Sequence, residues 1–131
     1  MPLLVDGMNV IGSRPDGWWR DRDGAARRLW KSLSSLAAAS GDDISVVFDG
    51  RPLPDLPEGR HDGVQVLYAR RGGANGADDR MIEELGADPD PAAVTLVTSD
   101  RELSRRAQAL GATVVGVKTL LARLDNQRQT D

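Results

Sequence analysis

The chain has 131 residues, 40% hydrophobic and 28% charged, which fits one globular domain and excludes a disordered or low-complexity chain. Cysteine is absent, so a disulfide framework and a thiolate zinc site are excluded, and a reducing compartment fits. The net charge of −3 argues against a nucleic-acid partner, yet fifteen of the seventeen basic residues are arginine, the side chain suited to bidentate phosphate contacts; GC-rich coding bias accounts for the same excess.

Leu3-Leu4-Val5 reads as a short buried strand ending at Asp6. The N-terminus lacks the basic start and long apolar stretch of a signal peptide. No apolar run reaches the roughly 20 residues of a membrane helix. A cytoplasmic protein without a membrane partner is expected. Residues 17–23 read as a loop carrying Trp18 and Trp19. Over residues 23–40, Ala26, Leu29, Trp30, Leu33, Leu36 and Ala37 recur at helical spacing, and Ser40-Gly41-Asp42-Asp43 ends that helix. Ile44-Ser45-Val46-Val47-Phe48 is a second strand, broken by Asp49-Gly50. Residues 51–63 hold three prolines and read as an exposed loop. Residues 64–69 alternate as a strand nearer the sheet edge.

Arg70-Arg71-Gly72-Gly73-Ala74 is a basic loop, after which Asn75 caps a helix running to about Leu85. Asp88-Pro89-Asp90-Pro91 is a turn. Residues 94–98 are a fourth strand, residues 99–110 a third helix, and residues 113–117 a fifth strand. A short helix then ends near Leu124. Residues 1–125 form one domain, and residues 126–131 a polar, frayed tail. Strands alternating with helices predict a mainly parallel sheet of about five strands covered on both faces.

In such sheets ligands bind beyond the C-terminal strand ends, where strand order reverses. Asp6 follows the first strand, Asp49 the second, Asp78 opens the helix after the third, and Asp100 lies two residues past the fourth. Parallel strands place all four at one end. Clustered carboxylates repel, and their pKa values rise unless a cation compensates. Oxygen ligands of this kind suit a hard ion, Mg²⁺ or Mn²⁺. Asp78 lies three and four residues before Met81 and Ile82 and so shares their inward face, whereas Asp79 is turned about 100° toward Glu83. Asp100 lies three residues before Leu103, on the inward stripe continued by Ala107 and Leu110. Structural readings stand beside these. Asn75 with Asp78, and Ser99 with Glu102, resemble capping boxes, Asp100 favours a helix dipole, and Asp49-Gly50 is a common turn.

Other chemistries find less support. His61 is the only histidine and lies in the proline-rich loop, which disfavours a catalytic triad or a histidine metal site. The dinucleotide-binding glycine fingerprint and the Walker A motif are both absent. Asp6-Gly7-Met8 lacks the second aspartate of haloacid-dehalogenase-like phosphatases.

Four segments carry a resemblance. They are Leu4-Val5-Asp6-Gly7-Met8-Asn9-Val10-Ile11-Gly12, Val46-Val47-Phe48-Asp49-Gly50, Gly76-Ala77-Asp78-Asp79-Arg80-Met81-Ile82 and Val97-Thr98-Ser99-Asp100-Arg101-Glu102. In this order and spacing they resemble the NYN domain family, in its YacP-like branch, within the PIN-like nuclease superfamily. Met8 stands where the family often has an aromatic residue. The resemblance implies a PIN-like three-layer α/β/α sandwich and a divalent-metal endoribonuclease acting on RNA, in some members ribosome-associated RNA. It implies Asp6, Asp78 and Asp100 as the core acidic residues and Asn9 as an orienting residue. Asp49 is then an outer or second-metal residue, with Asp79 and Ser99 in supporting places. One or two Mg²⁺ or Mn²⁺ ions would supply charge stabilisation at the scissile phosphate. Arg14, Arg51, Arg70 and Arg71 lie in loops expected to border the site and hold flanking phosphates, and Trp18 and Trp19 are candidates to stack on bases. A non-catalytic RNA- or ribosome-binding module of the same fold, and a phosphatase using the same site, are the alternatives.

Overall fold

A computed structural model describes residues 2–70, 72–73 and 75–130. Among the described residues, six strands form one sheet: β1 (Pro2–Asp6), β2 (Asp43–Phe48), β3 (Gly59–His61), β4 (Val64–Tyr68), β5 (Thr95–Val97) and β6 (Thr113–Val115). Their order is β3-β4-β2-β1-β5-β6. All neighbours pair in parallel except β3, which runs antiparallel to β4. Strand order reverses between β1 and β5, where Val5 pairs with Val97. The three-layer, mainly parallel α/β architecture is as expected from the sequence.

Alternation along the strands divides the core. Leu3, Val5, Ile44, Val46, Val64 and Val66 face one layer, made by α1 (Gly7–Gly12), α2 (Arg22–Ser40) and α5 (Val117–Thr130). Leu4, Val47, Leu67 and Leu96 face the other, made by α3 (Gly76–Ala87) and α4 (Arg101–Ala109). Each fully buried aliphatic side chain contributes about 1.5–3 kcal/mol to holding these layers together.

Four local features differ from the sequence reading. First, residues 7–12 form α1, a helix the sequence reading did not assign. Gly7 lets it start against β2, because a Cβ there would lie 2.7 Å from the Phe48 ring and 2.8 Å from the Val47 carbonyl oxygen. Second, residues 51–63 are not simply an exposed loop. Leu53 and Leu56 are buried, residues 59–61 pair as β3, and the Trp30 indole N–H donates to the His61 carbonyl at 3.1 Å. Third, β4 lies near the sheet edge as expected, but β3 pairs outside it, so β4 is flanked by strands on both sides. Fourth, α5 runs to Thr130 rather than ending near Leu124, so residues 126–130, expected as a frayed tail, continue the helix. Gln and Arg are good helix formers, and the Arg14–Asp125 ion pair at 2.9 Å ties this helix to the segment after α1.

Candidate functional site

Asp6 ends β1 and caps α1. Leu4 belongs to the core layer under α3 and α4, and Asp6, two residues on, points to the same side. It is buried, 6% exposed. Its Oδ2 accepts the Thr98 hydroxyl at 2.8 Å, and its Oδ1 accepts the Asn9 N–H at 3.4 Å. Burial pushes its pKa up to about 6. The Thr98 and Asn9 hydrogen bonds oppose that rise, and the charges of Asp78 and Asp49 add to it.

Across the β1–β5 crevice, Thr98 links the two strand ends. It is 1% exposed, donates to Asp6, and accepts the Asp100 N–H at 3.1 Å. Asp100 is the N-cap of α4, its Oδ1 accepting the Leu103 N–H at 2.8 Å. The capping alternative weighed from sequence thus holds in part: Asp100 itself is the cap, and Ser99 is not. The Ser99 Oγ instead accepts the Val117 N–H at 3.1 Å and anchors the start of α5. Asn9 spends its amide oxygen on the Ser99 N–H at 2.7 Å, which holds α1 to the β5–α4 turn and leaves its NH₂ group as the donor it can offer a ligand.

The other side of the site is looser. Asn75 is the N-cap residue of α3, but its side chain makes no cap bond. The Asp49 carboxylate takes the Ala77 N–H in its place. The turn after Asp49 needs Gly50, whose φ of 80° lies in the left-handed region. Partial burial of its carboxyl raises the pKa of Asp49, against the lowering effects of the Ala77 N–H and the Arg22 charge. Desolvation likewise raises Asp78, with Asp100 and Asp49 adding repulsion and Arg106 opposing it. Asp79 is exposed and pairs with Arg106 at 3.2 Å. The structure therefore places Asp78 toward the other carboxylates and Asp79 behind it. Among the described residues, no three acidic or histidine side chains converge closely enough to hold a metal ion between them. The four carboxylates influence one another electrostatically without forming a closed ligand cage.

Thr98 and Arg80 are the residues that sequence reasoning missed. A threonine at a strand end gives little signal by itself. Arg80 is only 5% exposed and donates to Glu58 at 2.8 Å, Glu84 at 2.9 Å and the Tyr68 carbonyl at 3.0 Å, clamping α3 to the end of β4. The expected phosphate contacts divide. Arg51 lines a hollow beside Asp49. Arg70 pairs with Glu83 at 2.8 Å, and Arg14 is taken by Asp125 on α5. Arg71 lies outside the described residues. Trp18 packs partly against the core, edge-on to Trp19 with ring centroids 6.0 Å apart, while Trp19 is 53% exposed. His61 sits on β3 with its Nε2 2.6 Å from the Pro57 carbonyl oxygen, at the sheet edge away from the β1–β5 crevice.

No helix among the described residues is long and apolar enough to cross a membrane. The fold is similar to two crystal structures of Rae1 (YacP) from Bacillus subtilis. A mutant form matches with a TM-score of 0.78 and 21% identity, covering 99% of this chain and 77% of that one. A second structure matches with a TM-score of 0.76 and 22% identity, covering 99% and 76%. At this identity the likeness concerns the fold. No curated protein matches the chain. The model of the YacP-like NYN domain matches residues 3–131, spanning all four strand-end aspartates, and supports a nuclease-type, RNA-related role. With that match and the PIN-like sheet order around Asp6 and Asp100, the chain belongs to the YacP-like NYN domain family.

Proposed function

We propose that this protein is a divalent-cation-dependent endoribonuclease hydrolysing RNA phosphodiester bonds, with Asp6, Asp78, Asp100 and Asn9 as its catalytic residues and Asp49 alongside. The observation that carries this reading is the pair of aspartates at the β1–β5 reversal, where the buried Thr98 hydroxyl donates to the Asp6 carboxylate and accepts the Asp100 backbone N–H. Burying Asp6 among like charges costs stability, and a fold gains nothing from that expense unless a cation or a reacting group uses it. The open arrangement suits Mg²⁺ or Mn²⁺ better than a dehydrated cage, because Mg²⁺ keeps several waters and binds through one or two carboxylates. A bound ion of this kind supplies charge stabilisation at the scissile phosphate and lowers the pKa of a water. The chain's own part is to hold and orient. Thr98 fixes Asp6, the α4 N-terminus fixes Asp100, and the Asn9 NH₂ group donates to a phosphate oxygen or a water. A cytoplasmic location and ribosome-associated RNA as substrate belong to the same proposal, the first resting on the expectation from sequence and the second on the family resemblance.

The test is cleavage of single-stranded RNA with Mg²⁺ or Mn²⁺. Asp6→Asn and Asp100→Asn are expected to lose at least about 100-fold in kcat while keeping the native circular dichroism spectrum. Wild-type rates in both variants would sink the carboxylate mechanism. That no three acidic side chains converge among the described residues favours one alternative, a non-catalytic RNA-binding module of the same fold. Calorimetry with Mn²⁺ separates the two, since the module predicts no binding heat that depends on Asp6.

A further inference from the structure

A hollow of about 180 Å³ opens beside Asp49, between the N-terminus of α2 and the ends of β2 and β4. Its apolar wall includes Met8, Phe48 and Tyr68, and its rim carries Arg22, Arg51 and Asp23. Asp49 belongs both to this hollow and to the carboxylate site, because its charge acts on Asp6 and Asp78 on one side and meets Arg22 on the other. The hollow therefore adjoins the site through Asp49, at the same end of the sheet.

Arg22 is held in place from below, its guanidinium carbon 5.4 Å from the centroid of the Trp18 ring. Among the described residues neither Arg22 nor Arg51 is in a salt bridge, whereas Arg14 and Arg70 are taken by Asp125 and Glu83. The two guanidinia keep their planar forks for a ligand. The volume is below the roughly 300 Å³ at which sites for whole small ligands begin, so it suits one unit of a longer chain. Its chemistry is mixed. A plain anion would be repelled by Asp23 and Asp49, while a nucleotide offers a phosphate to the arginines, a flat apolar face to Met8, and hydroxyl or amino donors to the carboxylates.

We propose that this hollow is a subsite for one nucleotide of a single-stranded RNA, next to the phosphate at the carboxylates, with Arg22 and Arg51 on its backbone phosphate and the partly exposed Met8 against its base. The proposal rests on the nuclease reading above and adds Arg22 as a substrate-binding residue. Arg22 and Arg51 act on binding and not on the chemical step, so their loss raises KM and leaves kcat.

The experiment measures binding of a short fluorescein-labelled single-stranded RNA in EDTA over a range of salt, and cleavage of the same RNA with Mn²⁺. Arg22→Gln and Arg51→Gln are each expected to weaken binding about 3- to 10-fold and to reduce the slope of log K against log salt by about 0.7, the value for one phosphate contact on a single strand. Arg22→Lys keeps most of that slope, and Arg105→Gln on α4 changes neither quantity. If Arg22 merely restrained Asp49, the Asp49→Asn background would erase the effect of Arg22→Gln; a subsite keeps it. Erasure overturns the proposal, as do variants that bind with wild-type affinity and slope while wild-type protein binds and cuts RNA. That last result leaves the nuclease reading intact. Wild-type protein that neither binds nor cuts RNA overturns both.

Discussion

On the β1–β5 side of the site, Asp6 and Asp100 sit at strand and helix ends and are joined by Thr98, with Asn9 bracing the Ser99 backbone at 2.7 Å. On the β2–α3 side, Asp49 takes one backbone N–H from Ala77, and Asp78 meets its neighbours through charge. The first side is organised by short hydrogen bonds that bridge residues far apart in the chain. The second follows a left-handed glycine turn and the first turn of a helix, and its clamp, Arg80, grips the strand end rather than the carboxylate. Under the proposed function, such a division would let the hydrogen-bonded pair set the geometry of the reaction while the other pair adapts to a cation or substrate. It also places the electrostatic cost on the hydrogen-bonded side, where Asp6 cannot turn to water.

The largest effect expected from this contrast is on stability. Burial raises the folded-state pKa of Asp6 from its ordinary 3.8 to about 6, so the folded chain holds that proton more tightly than the unfolded chain. The stability linked to this group is fully present below about pH 4 and lost as pH rises through about 6. Asp6→Asn removes the buried charge. In chelator near pH 7.5 the variant should be the more stable protein, by up to about 3 kcal/mol at roughly 1.4 kcal/mol per pKa unit. The gap should close as pH falls toward 4. Thermal denaturation across that range checks this, and a variant less stable than wild type at every pH would mean that Asp6 is not strained.

The next effect tests the link itself. Thr98→Val keeps the shape and deletes the hydroxyl, leaving the Asp6 Oδ2 without its donor and the Asp100 N–H without its acceptor. A fall in kcat of about 10- to 100-fold is expected, as for partners that orient metal-binding side chains, with Thr98→Ser recovering most of it. Unchanged cleavage by Thr98→Val would show that the two strand ends are aligned without it. The smallest effect should come from the loose side. Asp49→Asn retains an acceptor for the Ala77 N–H and should lower kcat by less than about tenfold. A loss equal to that of Asp6→Asn would erase the contrast and make Asp49 a full member of the catalytic set.

Legibility differed between these regions for physical reasons. Asp6 and Asp49 stood out because a buried parallel strand is a short apolar run and each stands at the end of one, while Asp100 and Asp78 were found through the strands and helices that follow in order. Helical phase separated Asp78 from Asp79 because period 3.6 fixes which of two adjacent residues faces the core. By contrast, Thr98 acts on Asp6 across 92 positions of chain, and no local pattern marks such a partner. Strand β3 escaped notice because Gly59, Arg60 and His61 have little strand propensity and pair only because β4 offers an edge. Asn9 was read as a residue for a ligand. Its carbonyl oxygen proves committed to the Ser99 backbone, a bond that exists only once α1 packs beside the β5–α4 turn.

The sequence by itself determined the class of fold, the end of the sheet where acidic residues gather and the family that shares this order of motifs, because periodicity and spacing are properties of neighbouring residues. The tertiary structure alone decided which carboxylate is buried and pushed toward neutrality, which arginines are spent in ion pairs and which remain at a hollow beside the site. Those outcomes depend on desolvation and on contacts between distant segments, and neither exists until the sheet has closed around Asp6.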